Sequence, residues 1–122
     1  MADFDWVGAR LQCSVAIVFA RLRQTLKRDV EQRDRAGGNY AFLFHSEAHS
    51  IFVSRRDARG NSQTISFVET PDAIGVTDDE KEMFVATLTL NNDGECRLLV
   101  NGQELTEWQF RKMALEKLFF GS

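Results

Sequence analysis

Two histidines and a glutamate, His45, Glu47 and His49, stand at alternate positions, a pattern that could form half of a metal site. On a continuous strand the three side chains would share one face, and two imidazoles with a carboxylate suit zinc or iron(II). The triplet lies across a predicted turn, however, and the chain has no other histidine to complete a ligand set. We therefore interpret the three as solvated turn residues, and we predict no metal and no cofactor.

A stripe of arginines is the second candidate, because Arg21, Arg28 and Arg35 recur every seven residues. On a helix such a stripe could follow the phosphates of a nucleic acid. Acidic residues such as Asp29 and Glu31 interrupt it, and the whole chain carries a formal net charge of −3. Opposite charges four residues apart are ordinary on solvated helices. Nucleic-acid binding is therefore an alternative and not the leading hypothesis.

The two cysteines, Cys13 and Cys96, are far apart in the chain and match no metal-binding spacing. We therefore expect no disulfide, and we predict two buried thiols in a reducing compartment. Phosphate-binding glycine loops, the nucleophile motif G-x-S-x-G and the zinc motif H-E-x-x-H do not occur in the sequence. No catalytic residue is predicted, and a small enzyme whose site is not visible in the sequence is a second alternative.

The N-terminal region carries no signal for a membrane. Residues 11–20 form its longest uncharged run, and they are too few to span a bilayer. The first residues are acidic where a secretory signal would be basic. We therefore predict a cytoplasmic protein without membrane contact.

The element that carries the arginines is the clearest in the sequence. Apolar residues recur at steps of three and four, as on one face of a helix, at Val7, Leu11, Val15, Val18, Leu22, Leu26 and Val30. With Asp5 or Asp3 as N-cap and glycines at 37 and 38 as the stop, this predicts one helix of about thirty residues, roughly 43–45 Å long. A domain of this size is roughly 35 Å across. The apolar seam should therefore need a cover beyond its own domain.

After the glycines the apolar period changes to two, which predicts strands. They are expected at residues 40–45, 50–55, 63–68, 83–90 and 95–100, with an acidic loop at 69–82 in which a short strand at 73–76 is an option. The first strand is apolar on both faces and is expected to be central or covered twice. Thr106 and Gln109 form a capping-box pattern that begins a C-terminal helix.

These elements predict one α+β domain over residues 1–122. It has a long N-terminal helix, an antiparallel sheet of about five strands and a C-terminal helix, arranged as a two-layer sandwich. The hydrophobic content of 43% and the charged content of 27% are typical of a globular chain. In its order of helix, three strands, two strands and helix, the small acidic chain resembles the class I secretion chaperones. That family dimerises and holds extended partner segments, and it places a helix between its strand groups that is not evident in residues 69–82.

The leading functional hypothesis is a non-catalytic protein-binding or adaptor module that forms a homodimer. It follows from the apolar surplus of the first helix, the aromatic strand after it and the lack of catalytic motifs. Its predicted contact residues with a second copy or another protein are Ile17, Leu22, Leu26, Val30, Arg21 and Arg28.

Overall fold

The computed structural model describes residues 3–121, which contain three helices and one seven-stranded sheet. The helices are α1 (Trp6–Gln12), α2 (Val15–Arg35) and α3 (Glu107–Phe120). The strands are β1 (Ala41–Ser46), β2 (Ser50–Arg56), β3 (Ser62–Glu69), β4 (Ile74–Asp78), β5 (Lys81–Leu90), β6 (Cys96–Val100) and β7 (Gln103–Leu105). The α+β class is as predicted, but the sheet has seven strands and not about five. None of the helices within residues 3–121 has the length and apolar character needed to cross a membrane.

The sheet is a meander in which each strand pairs antiparallel with its neighbours in chain order. Strand alternation puts every second side chain on the inner face, where Ile51 lies opposite Phe67 and Phe67 opposite Val76. All three side chains are fully buried. Helix α2 packs on β1 to β3, and α3 packs on β3, β6 and β7. Phe110 of α3 meets Phe67 and Phe84 at ring-centroid distances of 6.0 and 5.7 Å, so aromatic rings join the two layers.

The prediction of one long N-terminal helix is wrong, because the chain breaks at Cys13 and Ser14 into α1 and α2. Ser14 has an extended backbone (φ −117°, ψ 153°), and its hydroxyl accepts a hydrogen bond from the backbone N–H of Ile17. It is therefore the N-cap of a second helix. The 21 residues of α2 make a rod of about 32 Å, which no longer exceeds the domain. The break is not visible in the sequence, because Val7 and Leu11 of α1 continue the same three-and-four spacing as the apolar residues of α2.

Helix α1 does not continue the buried seam. Asp5, one of the two predicted N-caps, caps its first turn. The Asp5 carboxylate accepts a hydrogen bond of 3.0 Å from the backbone N–H of Gly8. Yet none of the seven residues in Trp6–Gln12 is buried, and Val7 and Leu11 are 50% and 68% exposed. Phe4, just before the helix, lies against the β5–β6 turn, where a Cβ on Gly94 would approach its ring to 2.6 Å.

Strand β1 lies at an edge of the sheet, so the prediction that it is central or covered twice is wrong. Phe42 points into the core, whereas Leu43 on the other face is 42% exposed. Side chains of α2 satisfy polar groups along this edge. Asp34 accepts a hydrogen bond of 2.9 Å from the backbone N–H of Phe42, and Arg23 donates to the carbonyls that follow the strand at residues 47 and 48. Protection of this kind lets an edge strand be apolar without pairing to another chain.

Residues 69–82 were predicted as an acidic loop with an optional strand at 73–76, and the structure confirms the strand and places a turn on each side of it. Strand β4 lies in the middle of this segment and overlaps the optional strand. A two-residue turn of Asp79 and Glu80, both with positive φ (47° and 75°), joins β4 to β5. The segment also lacks the helix that the class I secretion chaperones place between their strand groups. A second two-residue turn, Asn101-Gly102, has positive φ at both positions and adds β7, which the sequence pattern did not indicate.

Cys13 and Cys96 form a disulfide, which contradicts the predicted pair of separate thiols. The bond joins the break between α1 and α2 to the start of β6, across a sequence separation of 83 residues. Cys13 is nearly inaccessible, at 1% exposure. The spacing of the two cysteines in the sequence does not predict this bond. They come together only because the folded sheet places the start of β6 beside the N-terminal helices.

Candidate functional site

Three of the six predicted contact residues, Leu22, Leu26 and Val30, lie in the core of the chain itself. They are 1%, 0% and 3% exposed, because α2 turns them towards the sheet. The seam that we expected a second copy to cover is thus covered by the chain's own strands. Ile17 is half-buried, and the two arginines of the predicted set are exposed.

Two arginines of the α2 stripe, Arg21 and Arg28, face acidic partners. Arg21 donates to the carboxylate of Glu107 at 2.9 Å, and Arg28 lies 3.9 Å from the carboxylate of Asp29. Asp29 also accepts a hydrogen bond of 2.7 Å from Arg111 of α3, with both side chains less than one-quarter exposed. The Arg21–Glu107 and Arg111–Asp29 pairs tie α2 to α3, and the carboxylates of Glu107 and Asp29 partly neutralise the stripe that could have followed phosphates.

Helix α3 presents three large apolar side chains to solvent. Trp108, Met113 and Phe120 are 57%, 42% and 76% exposed, although the helix also buries a full apolar face. Trp108 and Phe120 are the two ends of a row of residues spaced four apart, with two charged residues between them. Each step of four turns the row by about 40° around the helix, so the row winds along α3. The charged residues, Lys112 and Glu116, form an ion pair of 3.2 Å and are 61% and 57% exposed. We call Trp108, Lys112, Glu116 and Phe120 the α3 stripe.

An open groove of about 370 Å³ runs beside the α3 stripe, between α3 and the C-terminal half of α2. Ala36 and Gln32 line it on α2, and Leu115 and Phe119 line it on α3. Trp108 and Phe120 also reach into it. A second shallow groove lies on the other side of α3, where Met113 is part of the wall. The stripe therefore forms a ridge with a depression on each side.

Two arginines fix the end of α3 that carries Phe120. Arg33 donates to the carbonyl of Phe119 at 2.7 Å, and Arg55 donates to the carbonyl of Leu118 at 3.1 Å. Cations are favoured at a helix C-terminus, where carbonyl groups lack partners within the helix. The Arg33 guanidinium also lies 5.3 Å from the ring centroid of Phe120. This most exposed aromatic residue thus stands on a helix end that is held in place.

The residues of the metal-like triplet are divided between two separate contacts. His45 lies 3.4 Å from the carboxylate of Glu47, and His49 lies 3.0 Å from that of Glu69. In the described part of the chain, no three His, Cys, Asp or Glu side chains are grouped so that they could hold a metal ion. The geometry therefore does not bring His45 and His49 together as ligands.

The carboxylate of Asp57 has a local role in the turn between β2 and β3. Partial desolvation acts to raise the pKa of Asp57, but hydrogen bonds outweigh it and lower the pKa below its ordinary value of 3.8. The backbone N–H groups of Asn61 and Arg59 donate to the carboxylate, as does the side-chain amide of Asn61. The ionised carboxylate thereby closes the turn between β2 and β3, which is a structural function.

The exposed aromatic residues of α3 are the functional candidates that the sequence reading did not single out. Neither Trp108 nor Phe120 is among the contact residues predicted from the sequence. A signal was present, because the helix contains more apolar residues than one buried face can hold. With Phe110, Leu115, Leu118 and Phe119 inside, Trp108 and Phe120 are left over.

Comparisons with protein families, with curated proteins and with solved structures find no match to this chain.

Proposed function

We propose that this protein is a non-catalytic protein-binding or adaptor module and that it acts as a homodimer. The observation that carries the proposal is the exposed apolar set on α3, Trp108, Met113 and Phe120. The contact surface is therefore moved from the buried seam of α2 to the outer face of α3. Ile17, Arg21 and Arg28 keep a place only at the margin of such a contact.

The types of residue support a protein partner more than a small ligand. Aromatic residues and Met are enriched at the centres of protein interfaces, and Trp is among the residues that most often dominate binding energy. Small-molecule sites are concave and bury most of their ligand, whereas the groove beside α3 is open to solvent. Burial of Trp108 and Phe120 against another protein would remove large apolar surfaces from water.

Size-exclusion chromatography with light scattering, recorded at 260 and 280 nm, tests the proposal. We expect a mass of twice the 13.9 kDa of the chain and an absorbance ratio free of nucleic acid. A monomer at all concentrations up to the millimolar range would refute the homodimer. Co-purified nucleic acid with salt-dependent binding would favour the alternative in which the arginines of α2 contact phosphates.

Two methionines provide a matched pair of variants for locating the surface. Met113 on α3 and Met83 on β5 are 42% and 40% exposed, but they belong to different layers of the fold. We expect Met113→Glu to weaken the dimer by about tenfold or more, because a charge would be desolvated in the contact. Met83→Glu should leave the dimer unchanged. The reverse result would move the contact to the sheet.

The compartment is part of the proposal. The cytoplasmic location predicted from the sequence stays a prediction, and the Cys13–Cys96 disulfide favours a non-reducing setting, since such bonds persist mainly in oxidising compartments. Counting free thiols in denatured protein, trapped directly from its native cells, distinguishes the two. Two thiols per chain support the cytoplasm, and none supports an oxidising compartment.

A further inference from the structure

We propose that the Cys13–Cys96 disulfide is a redox switch that attaches the N-terminal segment of the chain to the sheet. In the oxidised protein the bond keeps α1 folded against the rest of the domain. In the reduced protein residues 3–12, which we call the N-terminal arm, are released as a mobile apolar segment. The inference goes beyond the proposed binding function, because it concerns the opposite end of the chain and the state of a covalent bond.

The N-terminal arm has few attachments to the domain. Within residues 3–121, no hydrogen bond joins the arm to residues 14–121, since the side chains of Asp5 and Arg10 bond to Gly8 and Cys13 of the same segment. Phe4 lies against the β5–β6 turn, but its side chain is more than half exposed. The disulfide that directly follows the arm is therefore its strongest link to the sheet.

Helix α1 itself adds little to this attachment. Its half-buried residues are the small ones, Gly8 and Ala9, whereas Trp6, Val7 and Leu11 are all at least half exposed. Burial of small residues removes little apolar surface from water, so it stabilises the contact only weakly. The helix has seven residues, and isolated helices shorter than about 12–15 residues are marginal in water. We therefore expect α1 to unfold when the bond is reduced.

The switch reaction is a thiol–disulfide exchange with a dithiol reductant. A thiolate of the reductant attacks Cys96, which is half-buried, and the nearly inaccessible Cys13 leaves as a thiolate. The second thiol of the reductant then displaces Cys96. Two electrons and two protons thus pass to the two cysteines, and the dithiol becomes a disulfide. Arg10 donates to the carbonyl of Cys13 at 2.9 Å, so a cation lies close to the residue whose thiolate departs, which favours this step.

The two redox states would give the same chain two forms. In an oxidising compartment α1 is fixed beside the start of β6, and in a reducing compartment the N-terminal arm is free. A transition between order and disorder in one segment is a common form of molecular switch, and thiol oxidation is one of the events that control such transitions. Because α2 and the sheet are held by the buried core, we expect the change to remain local to the arm.

Hydrogen exchange measured by mass spectrometry tests the switch, with oxidised protein compared with protein treated with a dithiol. We expect the backbone amides of α1 to exchange about tenfold faster or more after reduction. Amides around Leu22 and Leu26 of α2 should still exchange at least about a hundredfold more slowly than those of α1, because they open only with the core. Trypsin cleavage after Arg10 should accelerate in the same way, and reoxidation should restore the slow rates.

Two variants separate the covalent bond from the aromatic contact. Phe4→Ala removes the ring from the β5–β6 turn and retains both cysteines. In its oxidised form we expect exchange in α1 to change by less than about threefold, because the disulfide still holds the segment. The double variant, Cys13→Ser with Cys96→Ser, retains Phe4 and should show fast exchange in α1 with and without the reductant.

Four results would overturn the switch. The first is equal exchange in α1 in both redox states, and the second is a joint loss of protection in α1 and α2, which would mean that the bond supports the whole fold. The third is fast exchange in oxidised Phe4→Ala, and the fourth is the presence of two free thiols in protein kept in an oxidising buffer. All of these results are independent of the oligomeric state. A monomeric protein would therefore refute the homodimer and leave the switch standing.

Discussion

Reduction of the Cys13–Cys96 disulfide is expected to lower the free energy of unfolding by about 4.5 kcal/mol. The bond closes a loop with a sequence separation of 83 residues. In the chain-entropy account, a loop of this length removes about 15 cal/mol/K from the unfolded ensemble, which is about 4.5 kcal/mol at 298 K. Whole domains are typically stable by about 5–15 kcal/mol, so this single bond would supply a large share.

Urea denaturation followed by circular dichroism, with and without a phosphine reductant, measures this difference. The m-value should rise on reduction, because the unfolded chain without its cross-link exposes more surface. In thermal denaturation the midpoint should fall by about 18 °C, given an unfolding entropy of about 2.1 cal/mol/K per residue. A variant with alanine at both cysteines should match the reduced wild type and should not respond to the reductant.

Two results would refute the reasoning. If untreated protein reacts as two free thiols after denaturation in an oxidising buffer, the bond does not form. If the bond forms but its reduction changes the free energy of unfolding by less than about 1 kcal/mol, the unfolded chain is not entropically constrained by it. In that case a compact unfolded state in which β6 already lies near the N-terminal helices would explain the small change.

Three further predictions concern stability. Glu80→Gly should raise the free energy of unfolding by about 0.5–1 kcal/mol, since glycine relieves the positive φ of 75° in the β4–β5 turn, and thermal denaturation measures this. Leu26→Ala should cost about 2–5 kcal/mol at any protein concentration, because it leaves a cavity in the core and not at an interface. Asp57→Asn should be less stable than wild type at neutral pH. Because the folded pKa of Asp57 is lowered, this difference should disappear as the pH falls through and below 3.8 in an acid titration of stability.

Local signals in the sequence were reliable wherever a few adjacent residues decide the structure. Thr106 and Gln109 form the predicted capping box, with hydrogen bonds in both directions. Asn101-Gly102, a residue pair typical of tight hairpin turns, forms such a turn, because both residues tolerate positive φ at low cost. The strands around residues 83–90 and 95–100 also pair as predicted, since alternation of apolar and polar side chains matches one buried face.

Periodicity was misleading where a cap or a covalent bond intervenes. Residues 5–30 follow one helical period, yet Ser14 begins a new helix and Cys13 is joined to a distant strand. A serine can be helical or can cap a helix, and its sequence neighbours do not distinguish the two states. The aromatic strand β1 was misplaced for a similar reason. Apolar residues on both faces indicate a central strand, unless another element protects the edge as Asp34 of α2 does here.

The candidate site likewise combines features that the sequence predicts with features that depend on tertiary packing. From the sequence alone came the α+β class, the Thr106–Gln109 capping box and an apolar surplus, which was assigned to the first helix. Only the tertiary structure decided which apolar residues form the excess, because burial depends on what each helix face packs against. The sheet accepts Leu22, Leu26 and Val30 of α2, and it leaves Trp108 and Phe120 of α3 outside. Sequence periodicity locates a helix face, but the elements packed around it determine whether that face is core or surface.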